Sequence, residues 1–124
     1  MMFTQYTVVY LEHPRTSERM NLGVAAWDME LKPNGERVPA VPEKLIWYFN
    51  RKWNRIEEIA GLDAPKTWRD RAEEMELTWS LTRLLNEIRK PVTEHTWLRF
   101  TEPHAGIQSA METMSEVARF MLVV

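Results

Sequence analysis

The stretch FTQYTVVYLEHPRTSERMNLGVAAWDMEL, residues 3–31, decides the fold of this chain. Its first part, FTQYTVVYL, is rich in aromatic and β-branched side chains, which suit the half-buried surface of a pleated strand. From Val8 onward both alternating sets of side chains are apolar, so the strand is expected to be covered on both sides. EHPRTSERM, residues 12–20, is polar, contains Pro14 and reads as a loop. NLGVAAWDMEL, residues 21–31, reads as a second strand, in which Gly23 signals a bulge or a close backbone approach. Lys32-Pro33-Asn34-Gly35 closes it with a turn, Asn-Gly being a strong hairpin signal.

Downstream, Pro39 and Pro42 cannot donate to a ladder, so residues 36–43 read as an edge or an irregular link. KLIWYF, residues 44–49, reads as a third strand, although so short an apolar run also allows a helical start. Trp53, Ile56 and Ile59 recur every third residue, marking one face of a short helix that Gly61 can end. Asp63 can cap the next helix, with Pro65 in its first turn. Over residues 64–90 the apolar positions Trp68, Ala72, Met75, Trp79, Leu81, Leu84, Leu85 and Ile88 predict a long helix, stopped by Pro91. Arg69 and Glu73 are spaced for an i,i+4 ion pair on it. HTWLRF, residues 95–100, predicts a fourth strand, and TEPHAG a loop after it. Ser109 and Glu112 form a capping-box signature for a final helix, with Met111, Met114, Val117, Ala118 and Met121 on its apolar face. Leu122-Val123-Val124 is too apolar to be expected as a solvated tail. Strands, then helices, then a strand and a helix predict one α+β domain over residues 1–124, with helices packed on one face of a mostly antiparallel sheet of about four strands.

Composition bounds the function. The chain of 124 residues has 44% hydrophobic and 27% charged residues, which is ordinary for one globular domain. Sixteen basic and eighteen acidic residues leave a net charge of −2, so the global basic excess typical of a nucleic-acid binder is missing. No cysteine is present, which removes disulfides, thiolate metal sites and a cysteine nucleophile. That usage fits the cytoplasm, and the opening Met-Met-Phe-Thr-Gln-Tyr has neither the basic start nor the apolar run of a signal peptide. No run reaches the roughly 20 apolar residues that span a bilayer. The six tryptophans and eight methionines fit either a core of large side chains or an adhesive binding surface.

Few residues suggest chemistry. His13, His95 and His104 have no metal-ligand spacing, so neither a metal nor a cofactor is expected. Glycine occurs only at 23, 35, 61 and 106, which excludes a glycine-rich phosphate cradle, and there is no G-x-S-x-G elbow. Two polar clusters remain. One is Arg15, Ser17, Glu18 and Asn21, between the first two strands. The other is Glu102 and His104, around Pro103. A carboxylate beside a histidine suits acid–base chemistry, and equally a loop-holding hydrogen bond. Arg51, Lys52 and Arg55, interleaved with Trp53, are the one basic–aromatic cluster, a combination that binds nucleic acid when exposed. Glu57 and Glu58 dilute its field, and a solvated helix face accounts for it as well.

The segment YTVVYLEHPRTSERMNLGVAAWD, residues 6–28, resembles the opening of the DUF3037 family: a strand, an Arg-x-x-Glu loop, then Asn-x-Gly-Val leading the second strand. Those positions fall on Arg15, Glu18, Asn21, Gly23 and Val24. WLRFTEPHAGI, residues 97–107, is similar to the family's late strand and its Thr-Glu-Pro loop, here Thr101, Glu102 and Pro103. The family usually has arginine after Glu-Pro, where this chain has His104, and residues 32–50 look longer than its usual tract. The resemblance implies no established activity. It implies a partner, because genes of the family neighbour those of HipA-like kinases; small bacterial and phage-encoded proteins share the look.

The expectation is therefore a non-enzymatic protein-interaction module, using an exposed apolar or aromatic patch beside the Arg15–Asn21 loop and a partner of the HipA-like kinase class. The alternative is a small ligand-binding or catalytic domain in which the Arg15–Asn21 and Thr101–His104 loops meet, with Arg15 pairing Glu102 or Asn21 bonding the Thr-Glu-Pro backbone. Nucleic-acid binding through Arg51, Lys52 and Arg55 ranks third. No membrane partner is expected, and self-association stays open.

Overall fold

The computed structural model describes residues 1–50, 53, 56, 68–93, 96–106 and 110–121. Strands β1 (Met2–Glu12) and β2 (Arg19–Leu31) form a long antiparallel hairpin, with Met2 opposite Glu30 and Glu12 opposite Arg19. The register steps between Val9, opposite Gly23, and Tyr10, opposite Asn21. Leu22 is thus the extra residue of a bulge next to Gly23. Strands β3 (Arg37–Pro39) and β4 (Leu45–Phe49) follow one another along the outer edge of β2, joined by residues 40–44 with their cis Val41–Pro42 peptide. Strands β5 (Leu98–Phe100) and β6 (His104–Gly106) do the same along the free edge of β1. Six paired segments therefore occupy four strand positions, all antiparallel, in the order β3/β4, β2, β1, β5/β6.

Local chemistry explains the edges. Gly35 takes φ +86° in the turn after β2, and Asn34 Oδ1 accepts the Glu36 N–H at 2.9 Å. Pro39 sits on the outer strand, where its missing N–H costs no ladder bond. Residues 45–49 are strand, the first of the two readings their short apolar run allowed.

Helices α1 (Trp68–Thr78) and α2 (Leu81–Arg89) divide what the sequence presents as one helix over 64–90. Ser80 makes the division. Its backbone is extended, at φ −82° and ψ 164°, and its side chain accepts the Arg83 N–H as an N-cap. Thr78 turns its hydroxyl back to the Glu74 carbonyl at 2.7 Å, ending α1. Trp79, between them, packs edge-on to Trp47 and tilted against Phe100, with ring centroids 6.2 and 5.9 Å away. Trp53 and Ile56 are helical, as their spacing predicts. The expectations for Ile59, Gly61, Asp63, Pro65, residues 64–67, His95, Ser109 and residues 122–124, and for the side chains of Met111 and Met121, lie outside what is described.

The α+β class and the antiparallel sheet agree with the sequence. The helices, expected on one face, divide between two. Val9, Leu11, Ala25, Trp27, Met29 and Trp47 form the larger core with Ile56, Trp68, Met75, Leu81 and Leu84, so α1 and α2 cover that face. Val24 and Ala26, on the alternate side of β2, pack with Tyr6, Ile46 and Met114, Val117 and Ala118 of α3 (Ala110–Met121). Two apolar faces on the central strands need two covers, and α3 supplies the second. The tryptophans are core residues: Trp27, Trp47 and Trp68 are buried, and Trp53, Trp79 and Trp97 half-buried.

Candidate functional site

The β1–β2 loop is held from within. His13 Nδ1 accepts the backbone N–H groups of Arg15 and Thr16 at 3.1 and 3.3 Å. The His13 N–H donates to the Glu18 carbonyl, and the Ser17 N–H to the His13 carbonyl, both at 2.9 Å. Ser17 takes φ +61° to close the turn. The His13 ring stands edge-on to Trp97, centroids 4.8 Å apart, which pins the loop to the end of the sheet. Arg15 and Glu18 are exposed; Asn21 is half-buried on β2, opposite Tyr10.

The Thr-Glu-Pro segment is a repair of the sheet edge. Val9 pairs with Phe100 and Tyr6 with His104, so Thr7 and Val8 face three residues, Thr101 to Pro103. One residue is in excess, and the ladder must lose a bond there. Thr101 restores it. Its N–H donates to the Val8 carbonyl at 3.0 Å, and its Oγ1 accepts the Val8 N–H at 2.9 Å. The fully buried Thr7 hydroxyl donates to the Thr101 carbonyl at 2.6 Å. Glu102 and His104 are both exposed, and the His104 ring lies tilted against Tyr6, centroids 5.3 Å apart.

The two loops do not meet. Thr101 bonds Val8 and Thr7, four and five residues before Glu12, where the hairpin loop begins. At strand spacing this offset is roughly 14–17 Å along the sheet. This offset sets the Arg15 turn apart from Glu102, and the composite site expected from the sequence is corrected to two separate segments. Both segments are local solutions to backbone bonding, one at a hairpin turn and one at a bulged edge. Nor, among the described residues, do exposed apolar side chains gather beside the Arg15–Asn21 loop. Met1, Met2, Val41, Tyr48, Leu77 and Val92 are exposed, but they are spread over the start of β1, the 40–44 link, β4, α1 and the end of α2. Arg51, Lys52 and Arg55 lie outside the described residues.

Two clusters appear that the sequence did not announce. Glu12 is bonded by Arg99 across β1 and β5, and Arg19, whose Nε is 4.0 Å from the carboxylate, lies over the Tyr10 ring at 4.0 Å. Glu12 and Arg99 are mostly shielded, at 20% and 19% side-chain exposure, so this pair is more than a solvated surface contact. It ties the three strands together at the hairpin end.

The second cluster is a cleft of about 300 Å³ between β4 and α1, lined by Trp47, Tyr48, Phe49, Asn50, Trp53, Arg69, Ala72, Glu73 and Glu76. Trp47 and Phe49, two apart on β4, point to the same side and stack with centroids 5.5 Å apart and planes 10° from parallel. Trp53 extends this wall, 6.5 Å from Phe49. Across it, Arg69, Glu73 and Glu76 recur at helical spacing beside the buried stripe Trp68, Ala72 and Met75. Arg69 and Glu73 form the ion pair that their spacing predicts, at 3.4 Å. The alternation of β4 and the charged stripe of α1 are both visible in the sequence; that they face each other is a tertiary fact.

Among the described residues no group of three or more His, Cys, Asp or Glu side chains is placed to hold a metal. No described helix is long and apolar enough to cross a membrane. Comparison of the chain with protein-family models, with curated proteins and with solved structures finds no match.

Proposed function

We propose that this protein is a non-enzymatic binding module whose working surface is the cleft between β4 and α1, and that it takes up a side chain of another protein there. The carrying observation is the cleft's make-up: an aromatic wall of Trp47, Phe49 and Trp53 facing charged groups of α1. Aromatic anchors with a polar rim are the composition of protein-binding hot spots. A volume of about 300 Å³ is at the small end of ligand pockets, and suits one side chain better than a cofactor. Backbone bonding accounts for both segments of the alternative reading, through His13 at the β1–β2 turn and Thr101 at the sheet edge. The resemblance to DUF3037 supplies the partner class to try first, a HipA-like kinase.

The test is capture of a partner by three forms of the protein. Wild type should retain a partner reproducibly. Arg69→Glu with Glu76→Lys, both on exposed positions, should lose it with an unchanged melting temperature. Arg15→Ala with Glu102→Ala should keep it. Capture lost in the loop variant and kept in the rim variant would move the binding surface to the loops and sink the proposal.

A further inference from the structure

We infer that the β4–α1 cleft selects a cationic side chain, the ammonium of a partner's lysine. This rests on the cleft being the working surface, and it adds the chemistry of what enters. Three features point to one sign of charge. The wall is built from Trp47, Phe49 and Trp53, and aromatic faces carry the negative lobe of the ring quadrupole, which attracts ammonium groups. Among the described residues the rim carries two carboxylates, Glu73 and Glu76, against one guanidinium, Arg69. Arg69 engages Glu73 with side chains 63% and 60% exposed, so solvent screens that pair and an entering cation can replace it at little cost. Glu76 stands one turn further along the same stripe and forms no ion pair among the described residues.

The form of the cleft matches the form of a lysine. A four-carbon stem packs on apolar rings while the charged head stays at a polar rim, the arrangement long basic side chains adopt generally. An acidic side chain would meet the ring faces and two carboxylates against the single guanidinium of Arg69 among the described rim residues. A purely apolar side chain would cover the rings and leave the rim charges with nothing to gain. The protein already uses this contact: Arg83 lies over the Trp79 ring at 4.7 Å, and Arg71 over Trp68 at 5.0 Å. Among the described residues no arginine or lysine lies over the rings of Trp47, Phe49 or Trp53.

The experiment is a titration with N-acetyl-lysine N-methylamide, its trimethylated form, and N-acetyl-norleucine N-methylamide, which keeps the stem and lacks the charge. The readout is the indole N–H resonances of Trp47 and Trp53. The two cationic probes should shift them, and the norleucine probe should bind about tenfold more weakly, the scale of one desolvated cation–π contact with a carboxylate nearby. Glu73→Gln with Glu76→Gln changes only exposed side chains, so the fold survives, and it should bring lysine down to the norleucine level. Equal binding of lysine and norleucine, an unchanged lysine affinity in the double variant, or no shift with any probe overturns the inference. Partner capture that depends on the rim, together with such a result, would leave the binding module standing and replace only its ligand.

Discussion

A β-carbon placed on Gly23 would lie 2.6 Å from Phe49 Cδ1 and 2.7 Å from the Tyr48 carbonyl oxygen. The second contact is to backbone, which cannot swing aside. Gly23→Val should therefore destabilise by roughly 1–3 kcal/mol, as overpacking does, read as a lower midpoint in urea denaturation. An unchanged midpoint would mean that β4 moves off β2 freely. Thr101 is the other residue on which local structure turns, because its hydroxyl replaces a missing ladder acceptor. Thr101→Val keeps the shape and leaves the Val8 N–H without that acceptor, which should cost about 1–3 kcal/mol. Thr101→Ser keeps the oxygen and should cost far less; equal losses in the two variants would show that packing, not the hydroxyl, matters there. Arg15, Glu18 and Glu102 look the same in a sequence whether they serve a ligand or decorate a turn. The residues that hold these segments, His13 and Thr101, act on backbone atoms whose position no pattern of side chains reveals.

At the scale of elements, the division between α1 and α2 depends on Ser80. Ser80→Ala removes the oxygen that accepts the Arg83 N–H and should cost about 1 kcal/mol, measurable by thermal unfolding with helical ellipticity as the probe. A gain in stability would mean that the two helices fuse when the cap is gone. Trp68, Ala72, Met75 and Trp79 share one face at 100° per residue, whereas Leu81, Leu84, Leu85 and Ile88 fall on the opposite one. A phase step at Ser80 was therefore legible, and the reading of one helix passed over it. The cap itself was less so, since Ser80 has Arg83 where a capping box needs Glu or Gln. β1 and β2 were legible because aromatic and β-branched residues, runs apolar on both faces and a bounding Asn-Gly turn all agree. The bulge was half legible: Gly23 marked the place, but only the pairing of Tyr10 with Asn21 assigns the extra residue to Leu22. β6 was hidden because HAG carries no strand propensity; it is strand through pairing with Thr4 to Tyr6. The cleft was hidden for a related reason. Its two walls are separated in sequence, and each alone reads as an ordinary amphipathic element.

At the scale of the whole molecule, the sheet separates two cores. Trp27, Ile56, Trp68, Leu81 and Leu84 pack on one side, and Val24, Ala26, Met114 and Ala118 on the other. The doubly apolar β1 already pointed to two covers, whereas the order of elements along the chain does not say on which side a final helix lands. Layers on opposite faces of a sheet share backbone but no side-chain contacts, so their substitutions should act independently. Ile46, on the α3 side, and Ile56, on the α1–α2 side, allow a test with one chemistry. Ile46→Val and Ile56→Val should each cost about 0.5–1.5 kcal/mol, with the fully buried Ile56 at the upper end. The double variant should equal their sum within about 0.5 kcal/mol. Both losses stay small against the 5–15 kcal/mol typical of a domain, so the double variant remains folded and its denaturation midpoint measurable. A coupling above about 1 kcal/mol would mean that the cores communicate through β2, the strand both share and the one that carries the bulge beside Gly23. Independent losses would instead identify the sheet as a rigid partition, with the cleft mounted on one side of it and α3 free to vary on the other.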